Sequence, residues 1–143
     1  MNPVELIVAL YDGMARFLYR AIQAIEVGNV RERRIAIRRT LDILMHLQSR
    51  LRMDIGGSSA KALSEFYAAI FALCIEGSRL ASPERLKEAI ACIRDVREAW
   101  HMVSKDPEVI RFLAQEQAKQ AVHMASAPLP PAVSTKATSS WTA

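Results

Sequence analysis

The sequence predicts an all-α fold: an antiparallel up-down-up-down four-helix bundle with an additional shorter C-terminal helix and a disordered tail. Three observations favour this class. Apolar residues make up 51% of the 143 residues, which is enough for one compact core. The 5 glycines and 6 prolines fall mainly at segment junctions or in the tail. Between the junctions, apolar residues recur at helical spacing over roughly 20 to 25 residues, and the short connections favour antiparallel neighbours.

Polar residues that can cap a helix precede four of the predicted segments. Such side chains accept hydrogen bonds from backbone N–H groups that the first helical turn leaves without partners. The predicted caps are Asn2, Asn29, Ser82 and Asp106. Asn2 is followed by Pro3 and by Glu5 three residues on, which is the pattern of a capping box. Proline also follows Ser82 and Asp106 directly, where its fixed φ suits the first turn of a helix.

Glycines are predicted to end the first two helices. Gly28 ends the first, and the second is predicted to continue to the adjacent Gly56 and Gly57. A double glycine also occurs in phosphate-binding loops, but this one follows a helix rather than a strand, and no Lys-Ser/Thr pair comes after it. We therefore interpret it as a corner that reverses the chain, with Ser58 or Ser59 capping the third helix.

Composition divides the chain into a helical domain and a tail. Residues 1–125 are predicted to form the bundle, with a less deeply buried fifth helix at about 108–125. Residues 126–143 are rich in Pro, Ser, Thr and Ala and are predicted to be disordered. No apolar run predicts a transmembrane span, and the N-terminus lacks the features of a signal peptide. Cys74 and Cys92 are interpreted as free thiols in a reducing compartment.

No catalytic or metal-binding constellation is recognisable in the sequence. His46, His101 and His123 lie on three different predicted helices, and none has a histidine partner one turn away. Neither cysteine has a neighbouring histidine or basic cluster that would stabilise a thiolate. We therefore predict that the protein is not an enzyme and binds no cofactor and no metal.

The third predicted helix is apolar nearly all round. It has almost no polar residue between Glu65 and Glu76. Because a helix in a small bundle normally has one side in water, this composition indicates that the outer side is covered. Three covers are consistent with the sequence: an amphipathic helix of a partner in a groove, the fifth helix of the same chain, or a second copy in a homodimer.

Four segments resemble the FliS family of flagellar export chaperones, which bind flagellin. The segment PVELIVALYDGMARFL resembles the family's opening helix, with matches at Pro3, Glu5, Leu6, Ile7, Leu10, Tyr11, Asp12 and Gly13. The segment LRMDIGGSSAKALSEFY resembles its double-glycine element, with matches at Leu51, Gly56, Gly57, Ala60, Leu63 and Tyr67. AIEVGNV is similar to the corner after the first helix, and VREAW is similar to the end of the fourth. The similarity extends over residues 3–103.

The resemblance implies a function that the residues alone do not. It implies a cytosolic chaperone that holds the C-terminal segment of flagellin in apolar grooves, prevents premature polymerisation and delivers flagellin to a component of the flagellar type III export gate. It implies no catalysis, no cofactor, no nucleic acid and no membrane insertion. Weak homodimerisation is retained as a further interaction. The alternative is a structural or regulatory helical module that forms a homodimer and carries no export cargo.

The flagellin-binding groove is expected on the second to fourth helices. Its predicted residues are apolar and also suit a packing face, so each has the alternative interpretation of a core residue. They are Ile37, Leu41, Leu44, Leu51, Leu63, Tyr67, Ile70, Ile93, Val96 and Trp100. Leu44→Asp and Ile93→Asp are expected to weaken flagellin binding. Tyr11 and Asp12 are instead expected to fix the packing of helices through hydrogen bonds.

The segment RERRIAIRRT, residues 31–40, supplies much of the net charge of +4. We interpret it as the solvated face of the second helix. The rival interpretation is a basic helical surface that binds nucleic acid, but no aromatic residues interleave with these arginines.

Overall fold

The computed structural model describes residues 2–51 and 57–126, which form five α-helices and no strand. The helices are α1 (Pro3–Glu26), α2 (Val30–Ser49), α3 (Gly57–Arg79), α4 (Pro83–Ser104) and α5 (Pro107–Ser126). The predicted all-α class, with a helical bundle and an added C-terminal helix, is confirmed. The predicted tail beyond Ser126 lies outside the described residues.

The four predicted helix caps are present. The Asn2 Oδ1 atom accepts a hydrogen bond from the Glu5 N–H at 2.8 Å, and Glu5 Oε2 accepts one from the Asn2 N–H at 3.0 Å, which completes the capping box. In the other three caps, a side-chain oxygen accepts from an N–H group two or three residues later. These pairs are Asn29 with Glu32, Ser82 with Arg85, and Asp106 with Glu108.

The corner between α2 and α3 differs from the prediction. Helix α2 ends at Ser49, and the Ser49 hydroxyl donates to the carbonyl oxygen of His46 at 2.7 Å, which satisfies one acceptor of the last turn. The predicted end at Gly56 lies outside the described residues. Helix α3 begins at Gly57, which has a φ of +56°. Ser58 and Ser59 are therefore already helical, and the prediction that one of them caps α3 was wrong.

The first four helices enclose one core. Helices α1 and α3 each pack against both α2 and α4, so that α1 and α3 lie diagonally across the bundle. The largest fully buried side chains come from all four helices: Tyr11, Met14, Leu18, Thr40, Ile70, Cys74, Leu86 and Ile93. The Thr40 hydroxyl is satisfied by donating to the carbonyl oxygen of Ala36 at 3.1 Å. Helix α5 packs mainly against α4 and, as predicted, is less buried than the others.

Two glycines lie where helices approach closely. A Cβ atom added at Gly13 of α1 would lie 3.3 Å from Ile43 Cδ1 of α2, so the two helices approach closely at this glycine. The second site is tighter. A Cβ atom at Gly77 of α3 would lie 2.5 Å from Leu86 Cδ2 and 2.9 Å from Leu86 Cγ, and Leu86 is fully buried in α4. The absence of a side chain at Gly77 therefore sets the distance between α3 and α4.

Gly77→Ala is expected to lower the free energy of unfolding by about 1 to 2 kcal/mol, since overpacking against a buried leucine outweighs the roughly 1 kcal/mol that alanine gains over glycine in a helix. Chemical denaturation followed by circular dichroism measures the change. Gly13→Ala is the matched control, because its added methyl group meets only the end of the Ile43 side chain. Equal stability of the two variants would show that the α3–α4 contact can relax freely.

Helices α1 and α3 end in the same hydrogen-bond pattern but with different residues. At the end of α1, the N–H groups of Gly28 and Asn29 donate to Ile25 and Ala24, and Gly28 has a φ of +71°. At the end of α3, the N–H groups of Ala81 and Ser82 donate to Ser78 and Gly77, and Ala81 has a φ of +48°. This is the Schellman arrangement, in which the left-handed residue is usually glycine. Ala81 therefore holds a conformation that its Cβ atom disfavours.

Ala81→Gly is expected to raise the free energy of unfolding by about 1 kcal/mol, because glycine adopts the left-handed conformation without the steric strain of a Cβ atom. Thermal and denaturant unfolding of the variant and the parent measure the gain. The reciprocal change Gly28→Ala, in the same motif of α1, is expected to lower stability by a similar amount. A destabilised Ala81→Gly variant would contradict this account of the α3 end.

Helix α3 is long and apolar enough to be a candidate membrane span by composition: its most apolar 18-residue window has a mean hydropathy of 1.3. It is the single such helix in the described ranges. This is weak evidence for a span, because the core helix of a bundle passes the same test and the residues Tyr67, Ile70 and Cys74 of α3 pack into the core.

Candidate functional site

A groove runs between α2 and α3 on the outside of the bundle. Its volume is about 470 Å³. The α2 side is lined by Leu44, Met45, Gln48 and Ser49, and the α3 side by Ser64, Tyr67, Ala68 and Phe71. The polar groups gather at one end, where the Gln48 amide Nε2 donates to Ser64 Oγ at 2.9 Å. The rest of the groove is apolar, so it suits the apolar side chains of a bound segment rather than a charged ligand.

Large apolar side chains stand exposed along this groove and beside it. The exposed fraction is 64% for Met45, 40% for Phe71 and 44% for Ile75, which lies one turn beyond Phe71 on α3. The fifth helix does not bury these residues, although such a cover was one interpretation of the sequence. Exposed apolar side chains on two adjacent helices form a surface that an amphipathic helix can contact with its own apolar face.

A chain of hydrogen bonds lies beneath the groove. The hydroxyl of Tyr67, at the groove floor, lies 2.8 Å from the hydroxyl of Tyr11 on α1. The Trp100 indole Nε1 of α4 donates to the same Tyr11 hydroxyl at 3.2 Å. Burial raises the pKa of Tyr11 and of Tyr67 above the ordinary phenol value, so both side chains keep their protons near neutral pH. The chain therefore joins three helices by neutral hydrogen bonds.

Tyr11→Phe is expected to destabilise the protein by about 2 kcal/mol and Tyr67→Phe by about 1 kcal/mol. Only the first change leaves two polar groups without their partner: the buried Tyr67 hydroxyl and the partly buried Trp100 indole N–H. The double variant is expected to lose less than the sum of the two, since both changes break the same bond. Urea unfolding of the three variants tests this order. Tyr19→Phe, at an exposed tyrosine of α1, is the control and is expected to be neutral. Strict additivity would show that the hydroxyl groups act independently.

An ion pair connects α1 and α4 next to this chain. Arg97 Nε donates to Asp12 Oδ1 at 3.0 Å, and Arg97 Nη2 donates to Asp12 Oδ2 at 3.4 Å. The hydrogen bond that Arg97 donates to the Asp12 carboxylate raises the pKa of the Arg97 guanidinium above its ordinary value. Together with Tyr11, this pair confirms that the Tyr11-Asp12 dipeptide fixes helix packing through hydrogen bonds.

The structure divides the ten residues predicted to bind flagellin into two groups. Five are buried in the core: Ile37, Leu44, Tyr67, Ile70 and Ile93. Five are partly buried and pack against that core: Leu41, Leu51, Leu63, Val96 and Trp100. Of the ten, Leu44 and Tyr67 line the α2–α3 groove. As a set, the ten residues thus surround the bundle axis rather than one surface, and their role in binding stays a prediction.

The exposed apolar residues of the groove were absent from the predicted binding set. Met45 and Phe71 each follow directly after a core residue of the apolar stripe, Leu44 and Ile70, and so lie about 100° further round the helix. The available signal was the uninterrupted apolar composition of α3, which requires some large side chains to face outward.

The two cysteines of the chain lie on α3 and α4. Burial raises the pKa of the Cys74 thiol to about 12, so this thiol stays protonated and unreactive at physiological pH. Cys92 is partly buried, and both cysteines are free thiols. Residues 2–51 and 57–126 contain no cluster of three or more His, Cys, Asp or Glu side chains that could hold a metal ion.

The fold and the groove define a class of protein: a helical bundle that leaves an apolar groove exposed between two of its helices. Comparison with known proteins assigns the family. Residues 1–107 match the family described as Flagellar protein FliS. The chain belongs to the FliS family.

Three relatives described as flagellar secretion chaperone FliS span most of the chain. The protein from Campylobacter jejuni is 31% identical over 108 residues, which are 76% of this chain and 84% of the relative. The protein from Vibrio cholerae is 27% identical over 115 residues, or 80% and 83%. That from Salmonella typhimurium is 27% identical over 104 residues, or 72% and 77%. The family is one of flagellar secretion chaperones and not of enzymes. This confirms the predicted family and the prediction that the protein is not an enzyme.

Proposed function

We propose that this chaperone binds the C-terminal segment of a flagellin in the cytosol, prevents its premature polymerisation and delivers it to the flagellar export gate. The bound segment forms an amphipathic helix, and the apolar face of that helix occupies the α2–α3 groove. The groove itself supports the proposal most directly, because it leaves Met45, Phe71 and Ile75 exposed on a folded bundle.

The energetics of such a complex favour an apolar groove of this kind. A segment that folds as it binds loses conformational entropy, so the interface must bury enough apolar surface to offset that loss. Full burial of one large apolar side chain stabilises a complex by about 1.5 to 3 kcal/mol. Met45 and Phe71 form opposite walls of the groove, with Leu44 and Tyr67 below them, so one helix of flagellin can contact all four.

Titration with a synthetic C-terminal segment of flagellin from the same organism tests the proposal. We expect a 1:1 complex by isothermal titration calorimetry, together with a gain in helical circular dichroism beyond the sum of the free components. A matched control peptide has the same composition in scrambled order and is expected not to bind. Failure of the native segment to bind the folded protein would overturn the proposal.

The homodimer without export cargo predicts a different result. In that case, light scattering would show a dimer whose dissociation does not depend on the flagellin segment. Phe71→Asp would then convert the dimer to a monomer and would have no effect on affinity for the segment. The proposed function instead predicts that added flagellin segment competes with any weak self-association, because both would use the same exposed apolar residues.

A further inference from the structure

A second surface, separate from the groove, carries the arginines of the first half of α2. Arg31, Arg34, Arg38 and Arg39 line one cleft of about 720 Å³ on this helix, and all four are exposed. We call these four residues the arginine ridge. Because Arg31, Arg34 and Arg38 are spaced by three and four residues, their side chains project from one face of α2 over roughly 10 Å of helix length.

The charges of the arginine ridge are not neutralised within the described part of the chain. Carboxylates are near: Asp42 lines the same cleft, and Glu32 lies on the first turn of α2. However, the ion pairs found in residues 2–51 and 57–126 involve Arg85, Arg97 and Lys119, and none involves a residue of the ridge. The ridge therefore presents four guanidinium groups that remain available to a partner.

Apolar residues lie among these arginines. Val30 and Ile35 line the same cleft and are 46% and 38% exposed. On the adjoining side, Ile35 and Arg39 also line a cleft of about 550 Å³ against α1, which contains Phe17. Arg39 and Arg20 both lie over the Phe17 ring, at 5.9 Å and 5.4 Å from its centroid. The contact with Phe17 restrains Arg39, one of the four ridge side chains, before any partner binds, which reduces the entropy that this side chain loses on binding.

This combination favours a protein partner over a nucleic acid or a lipid surface. A phosphate backbone would pair with the arginines but would leave Val30 and Ile35 uncovered, and Asp42 would repel it. A lipid surface requires a broad apolar face, whereas the apolar area here is small and framed by charge. A helix that carries carboxylates at a spacing of three and four residues matches Arg31, Arg34 and Arg38, and an aliphatic residue between them covers Ile35.

We propose that the arginine ridge binds an acidic amphipathic helix of a partner protein other than the exported cargo. Each guanidinium can hold one carboxylate with two parallel hydrogen bonds, which lysine cannot do, and this stretch of α2 contains arginine but no lysine. The ridge and the groove occupy different halves of α2, so cargo and acidic partner can be bound together.

A fluorescein-labelled helical peptide of about 18 residues tests the ridge. It carries glutamates at i, i+3 and i+7 with leucines beside them. We expect it to bind at least about tenfold more tightly than a counterpart with glutamine at those positions, by fluorescence anisotropy in about 50 mM NaCl, and to weaken in about 300 mM NaCl. Arg34→Glu/Arg38→Glu is expected to weaken binding by about tenfold or more, and Ile35→Ser by a smaller factor.

Lys61→Glu/Arg111→Glu is the matched control, since it changes the net charge equally at exposed positions of α3 and α5 and is expected to leave binding of the peptide nearly unchanged. Circular dichroism verifies that each variant is folded, and the flagellin segment is expected to bind the ridge variant normally. Equal binding of the glutamate and glutamine peptides would overturn the proposal. The proposal would also be overturned if a short DNA duplex or phosphatidylserine vesicles bound more tightly than the glutamate peptide and the ridge variant lost that binding.

Discussion

Phe71→Asp is expected to weaken binding of the flagellin C-terminal segment by about 30-fold or more while the bundle stays folded. Phe71 is 40% exposed and forms the α3 wall of the groove, so the folded protein can accept a charge there in water. Binding would bury that charge against an apolar helix, and the apolar contact would also be lost. Together these effects correspond to about 2 kcal/mol or more, and each 1.4 kcal/mol is a factor of ten in affinity.

The matched control for this change is Phe112→Asp. Phe112 lies on α5 and is 60% exposed, so the same substitution is made on a helix that does not line the groove. Calorimetric titration of both variants with the flagellin segment, with melting curves as a check on folding, gives the comparison. If Phe112→Asp removed binding and Phe71→Asp did not, the cargo surface would lie on α5.

Ile93→Asp is expected to abolish cooperative folding. Ile93 of α4 is 1% exposed and belongs to the same core cluster as Tyr11, Met14 and Ile70. Burial of an isolated carboxylate there, together with loss of the apolar side chain, costs more than about 5 kcal/mol, which is comparable to the whole stability of a small domain. Circular dichroism and thermal melts measure the loss. The sequence alone suggested this variant as a test of binding, but burial of Ile93 makes it a test of folding.

Ala91→Asp places the same carboxylate on the exposed face of α4, two residues away, and is expected to leave the fold and the melting temperature nearly unchanged. Leu44→Asp, at a residue that is 2% exposed on α2, is expected to behave like Ile93→Asp. A folded Ile93→Asp protein with normal cooperativity would show that the core of α4 can open to water.

Local signals in the sequence were sufficient for the helices and most of their boundaries. A cap such as Asn2 or Ser82 acts on backbone groups within three residues, so its effect is readable from a short window. The end of α2 was not predicted, because apolar residues continue at helical spacing beyond Ser49, so the pattern shows no break there.

The binding surface required information that a local pattern does not contain. Helical spacing locates the axis of an apolar stripe, so it selected residues such as Ile70 and Ile93 that point to the centre of the bundle. Whether a residue at the edge of the stripe is covered depends on the position of the neighbouring helix. Met45 and Phe71 lie on different helices, and their joint exposure follows from how α2 and α3 pack.

The hydrogen-bond chain under the groove places a tryptophan two hydrogen bonds away from the groove. Trp100 is connected through Tyr11 to Tyr67, whose ring forms part of the groove floor. We expect an occupant of the groove that displaces Tyr67 to change the environment of the Trp100 indole, and tryptophan emission responds to such changes. The protein sequence contains one other tryptophan, Trp141. In the variant Trp141→Phe, the emission of Trp100 alone is then expected to report binding of the flagellin segment in real time, without a dye on either molecule.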